Sequence, residues 1–153
     1  SERIISPILL ELRERNNRQF SIFSGSLFDV DISQGLNGEC DFLLSCVPFD
    51  FEIQVPVFAL IEAKRGEIEP GLPQCAAQMV AAKLFNDREN NPIPIIFGCV
   101  TTGDVWRFLK LADNNLTIDA DIYYLDRVPV ILGVLQIIVD SCQNNSSQLR
   151  RLG

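Results

Sequence analysis

A single mixed α/β domain is the fold this sequence predicts, with elements in the order helix, three strands, helix, strand, then an additional hairpin strand and helix towards the C-terminus. Three observations lead there. Residues 20–30 alternate apolar and polar side chains with the period of two expected of a half-buried strand, and a turn leads from them into a second strand at 39–47. The run Val57-Phe58-Ala59-Leu60-Ile61 is too apolar for a half-solvated strand and reads as an inner strand of a sheet. Between these and a second set of strands, apolar residues recur with helical spacing over residues 72–86.

At 153 residues with 47% hydrophobic content, the chain fits one domain with a sizeable core, taken as residues 1–143 with a polar tail at 144–153. The five cysteines show no C-x-x-C pair and there is no histidine, which excludes a His-based triad and leaves little material for a zinc site. Reduced, mostly buried thiols are expected, and with no signal segment and no apolar run of membrane-span length, a cytoplasmic protein away from membranes is expected too. The start at Ser1 points to a trimmed or processed N-terminus. A net charge of −7 weighs against strong nonspecific binding to nucleic acid, although Arg13, Arg15, Arg18, Lys64, Arg65, Lys83 and Arg88 are available for a local basic rim.

Along the chain, Ser6-Pro7 resembles an N-cap followed by proline at the first helical position, and Ile8, Leu9 and Leu12 carry a short amphipathic helix to about Asn16. Glu11 falls at the edge of its apolar arc and Glu14 points further out, so Glu11 is the acid expected to face the sheet. Residues 20–30 and 39–47 form a hairpin about a turn at residues 34–38, and a loop around Pro48 and Pro56 leads to the apolar strand. In the helix at 72–86, residues 70–82 carry no charge, so burial on most sides is expected, with Gln74 and Gln78 in need of partners. A strand at 93–101 follows, with a tight turn at Thr102-Gly103-Asp104 and an antiparallel return at 105–111. Asp113-Asn114-Asn115 turns into a strand at 116–124. A last apolar helix covers 130–142.

The chemistry centres on Glu62-Ala63-Lys64, which ends the inner strand. Period two puts Glu62 and Lys64 on one face, where opposite charges are costly unless they pair, bind a metal or act chemically. Asp41, in Cys40-Asp41-Phe42, brings a second carboxylate on a neighbouring strand. Paired hard carboxylate oxygens are the donors that Mg²⁺ or Mn²⁺ prefers, and a lysine beside them can hold an attacking water or stabilise a pentacovalent phosphate.

These residues resemble the PD-(D/E)XK nucleases, a superfamily that includes restriction endonucleases, RecB-like exonucleases and archaeal Holliday-junction resolvases. The order helix, three strands, helix, strand is that family's core. Asp41 matches its first acid, and Glu62 with Lys64 matches its E-x-K. Glu11 stands where several members carry a further metal-site glutamate, and Gly71-Leu72 with Gln78-Met79 resembles the RecB-type motif. Cys40 replaces the proline before the acid, and Ala82 stands in place of that motif's tyrosine. The resemblance implies a restriction-endonuclease-like fold and a Mg²⁺- or Mn²⁺-dependent nuclease acting on DNA. Asp41, Glu62, Lys64 and Gln78 would be its catalytic set. Asp41, Glu62, the Ala63 carbonyl and Glu11 would be its metal ligands. It covers roughly residues 2–102.

The plainer readings differ residue by residue. Glu62 and Lys64 could form a structural ion pair, Gln74 is read as bonding backbone rather than serving the site, and Trp106 with Phe108 is read as sheet packing rather than base stacking. Asp29-Val30-Asp31 does not continue as a calcium loop. A catalytically silent interaction module of the same fold is the alternative function, and a homodimer through the last helix or residues 116–124 suits either reading.

Overall fold

A computed structural model describes residues 2–31, 36–48 and 56–152, with side chains at 4–24, 40–48 and 56–142. The turn expected at Gln34-Gly35 and the interior of the loop between Pro48 and Pro56 lie outside the described residues.

The element order among the described residues is α1 (Glu2–Arg15), β1 (Ser21–Asp31), β2 (Leu36–Ser45), β3 (Val57–Ala63), α2 (Gly71–Arg88), β4 (Ile95–Thr101), β5 (Val105–Ala112), β6 (Asn115–Ile118), β7 (Tyr123–Tyr124), a 3₁₀ segment (Leu125–Arg127) and α3 (Val128–Leu152). The seven strands make one open mixed sheet in the order β1-β2-β3-β4-β5-β6, with β7 also paired to β5. Among the described strands only β3 and β4 run parallel, because α2 carries the chain back across the sheet between them. No described helix is long and apolar enough to cross a membrane.

Two layers of helix sandwich this sheet. Ile5, Leu9 and Leu12 of α1 and Ile131, Leu135 and Ile138 of α3 pack on one face with Phe20, Phe58 and Trp106. On the other face α2 packs Cys75, Met79 and Ala82 against Leu43, Leu60, Val100 and Leu109. Close approach there needs a missing side chain: a Cβ at Gly98 would lie 2.5 Å from Met79 Sδ and 2.8 Å from Cys75 Sγ. Asn86 closes the far end of α2, bonding both the N–H and the carbonyl of Val57 at 2.8 and 2.9 Å.

Several expectations need correction. Pro7 lies inside α1 instead of opening it, because Ile5, fully buried, extends the apolar stripe a turn upstream. Glu11 is on the outer face of α1, as described below. The burial of α2 is one-sided, with Gln74, Ala77 and Val80 exposed. The strand expected at 116–124 is broken at Asp119, whose carboxylate accepts the Asp121 N–H at 3.0 Å while its own N–H donates to Phe108. The polar tail at 144–153 is helical through Leu152, since glutamine, asparagine and serine do not interrupt a helix already propagating. Cys46 and Cys142 are disulfide-bonded, joining the end of β2 to α3, whereas Cys40, Cys75 and Cys99 are free and buried.

Candidate active site

β2 and β3 pair antiparallel with Phe42 opposite Ile61, which brings Asp41 alongside Glu62 on the neighbouring strand. Asp41 is half-buried, and its Oδ2 accepts the Ala63 N–H at 2.8 Å. The structure therefore ties Ala63 to the site through its amide. Glu62 is 3% exposed, and its Oε1 has no hydrogen-bond partner among the described residues. Burial, and next the charge of Asp41, push the Glu62 carboxyl up to about 7, against the opposing pull of Lys64.

Lys64 leaves the end of β3 towards the start of α2. Its N–H donates to the Thr101 carbonyl at 2.8 Å, and its Nζ donates to Gln74 Oε1 at 2.9 Å. Gln78, one turn further along α2 and 5% exposed, accepts the Cys40 thiol at 3.2 Å. Burial first, and then Glu62, raise the Cys40 thiol, so it stays protonated and remains a donor. The same two causes push Cys75 up to about 12.

Asp41, Glu62, Lys64 and Gln78 thus share the α2 side of the sheet. Glu11 does not join them. It sits on the opposite helical layer, pairs with Arg15 at 3.0 Å, and both side chains are more than half exposed. The edge of the apolar arc on α1 turns out to lie on the solvent side, where an i,i+4 partner is available. The proposed basic rim is divided as well: Arg15 and Lys83 are engaged by Glu11 and Asp87 on their own helices, and Arg18, just past the end of α1, by Glu14. Trp106 is fully buried with Nε1 donating to Gly103, and Phe108 packs edge-to-face with Tyr123, which makes both packing residues.

Sequence reasoning missed two roles: Cys40 as the donor to Gln78, and Gln74, which was read as bonding backbone, as the acceptor for Lys64. The available signal was the charge-free stretch carrying two glutamines four residues apart, whose polar ends require partners.

Among the described residues no group of three or more His, Cys, Asp or Glu side chains is arranged to hold a metal ion. Asp41 and Glu62 nevertheless fit the sparse protein contribution usual for Mg²⁺, which is held by one or two carboxylates with water and phosphate completing its shell. The buried Oε1 of Glu62, which accepts no hydrogen bond among the described residues, is the feature that fit turns on. No family model, curated protein or solved structure matches the chain.

Proposed function

We propose that the chain is a Mg²⁺- or Mn²⁺-dependent nuclease of restriction-endonuclease-like fold that hydrolyses DNA phosphodiester bonds in the cytoplasm. One observation carries this reading: Asp41 and Glu62 lie side by side on adjacent strands, with a buried unpartnered carboxylate oxygen and Lys64 two residues on. Asp41 and Glu62 would hold the cation. Bound there, it would neutralise phosphate charge and lower the pKa of a water.

The chain's own groups supply the rest. Hydrolysis joins a water oxygen to phosphorus and breaks the bond to the leaving oxygen, while negative charge builds on the phosphoryl oxygens. The Lys64 ammonium, held by a neutral amide, is a positive charge available to those oxygens or to the water. Ala63 keeps Asp41 aimed, and the Cys40 thiol keeps Gln78 aimed. Exposed Leu116, Ile118 and Ile137 offer apolar surface for a homodimer.

The direct test is cleavage of plasmid and branched DNA with Mg²⁺ or Mn²⁺. Glu62→Ala and Lys64→Ala are each expected to lower the rate by at least about a hundredfold; activity that survives both ends the reading. The displacement of Glu11 from the site favours the second reading, a catalytically silent module of the same fold, since it leaves two acidic side chains where a fuller set was expected. An inert wild-type chain that binds no Mn²⁺ is the outcome for that module.

A further inference from the structure

We infer that Gly71 and Gln74, in the first turn of α2, are the positioning residues of Lys64: the missing side chain of one and the amide of the other form a cradle for the lysine. This rests on the reading of Lys64 as a working residue.

Gly71 is buried, and its backbone is not among those with positive φ, so conformational freedom does not explain a glycine there. Space explains it. A Cβ at Gly71 would lie 2.9 Å from Lys64 Cε, 3.0 Å from Lys64 Cγ and 2.9 Å from Val100 Cγ1. The lysine stem passes through the volume where the alanine methyl would sit.

Gln74 follows at i+3, on the same helical face, and accepts the ammonium at 2.9 Å. The lysine is therefore held at its backbone N–H by Thr101, along its stem by the gap at Gly71 and at its tip by Gln74. Unrestrained, a lysine side chain spreads over many rotamers, and ordering it only on binding substrate would cost entropy at that moment. The neutrality of the acceptor matters too. The first turn of α2 carries no acid, so the ammonium can exchange Gln74 for a phosphate oxygen without breaking an ion pair.

The chain has three lysines, so the side-chain resonances can be assigned by Lys83→Arg and Lys110→Arg and followed by NMR in the full-length protein. Gly71→Ala is expected to shift the Lys64 resonance towards that of a solvated lysine. It should also lower kcat by about ten- to a hundredfold, with KM within about threefold and Mn²⁺ binding unchanged. Gly71→Ala/Val100→Ala removes the crowding on the sheet side, and also serves if the single variant does not fold; the displaced lysine signal should persist. Gln74→Ala should displace the Lys64 resonance and lower kcat, whereas Gln74→Glu, which keeps an acceptor at the tip, should leave the resonance nearer its wild-type position than Gln74→Ala does. An unchanged Lys64 resonance in Gly71→Ala, or its return to the wild-type position in the double variant, overturns the proposal. Should the wild-type chain cleave nothing, the nuclease reading fails while the lysine resonance still decides whether the cradle exists.

Discussion

The two faces of the sheet are built from different materials. Under α1 and α3 lie bulky rings, among them Phe20 and Phe58 packed edge-to-face at 6.0 Å and the fully buried Trp106. The polar bridge on that side is reciprocal, Asn16 and Gln136 exchanging amide hydrogen bonds at 2.9 and 2.8 Å. Under α2 the buried core is aliphatic, with small Cys75, Ala82 and Gly98 drawing the helix close, and Asp41, Glu62 and Gln78 lie on the same side. Asn16 and Gln136 thus satisfy each other, whereas on the α2 face Glu62 keeps a buried carboxylate oxygen open. Buried carboxylates with raised pKa are where chemistry is sought first, and here such a group coincides with a lysine two residues away.

That contrast can be broken on either side. The largest effect is expected from Trp106→Ala, which should cost about 3–5 kcal/mol in urea unfolding by emptying the packing face. Where the variant remains folded, its Mn²⁺ affinity should match the wild type. A selective loss of metal binding would mean the faces are not separate.

Next comes pH. The Glu62 carboxyl, near 4.5 when unfolded and raised to about 7 when folded, holds a proton in the native state that the unfolded chain releases between those values. Stability of the metal-free protein should therefore be highest below about pH 4.5 as far as this group is concerned, and fall as pH rises through about 7, by on the order of 1–3 kcal/mol. Melting temperature against pH in chelator reads this directly, and Glu62→Gln should flatten the curve.

Smaller still is Asn16→Ala, which removes both bonds between Asn16 and Gln136, leaves Gln136 its bond to Asp140, and should cost about 1 kcal/mol without altering cleavage. Smallest is Glu11→Gln. Its exposed pair with Arg15 predicts a stability change within about 0.5 kcal/mol and no change in Mn²⁺ affinity; a clear loss of affinity would return Glu11 to the site.

Much of this arrangement was legible in the residues. The Val57 to Ile61 run announced a buried strand because a strand covered on both faces has no polar positions to alternate, and Glu62-Ala63-Lys64 stood out against it. The element order up to β4 followed from the same periodicities. What the residues hid depends on contacts distant in sequence. Whether Glu11 at the rim of a helical arc turns in or out is decided by how α1 docks and by Arg15 waiting one turn on. The Cys46–Cys142 disulfide joins positions 96 residues apart, a distance no local pattern reports. Pro7 looked like a helix start because a proline fits the first turn, yet Ile5 one turn earlier had apolar surface to bury. Gln74 looked like a backbone-bonding residue because its lysine partner belongs to another element.

The claim at the centre is that Asp41 and Glu62 form one cation site on the α2 face. Mn²⁺ titration at pH 8, followed by calorimetry on the wild type, Asp41→Asn and Glu62→Gln, tests it most directly. The account predicts saturable binding in the wild type, its loss in both variants, and native-like unfolding curves for all three proteins. Binding that is absent from the wild type, or that persists in both variants, would contradict it.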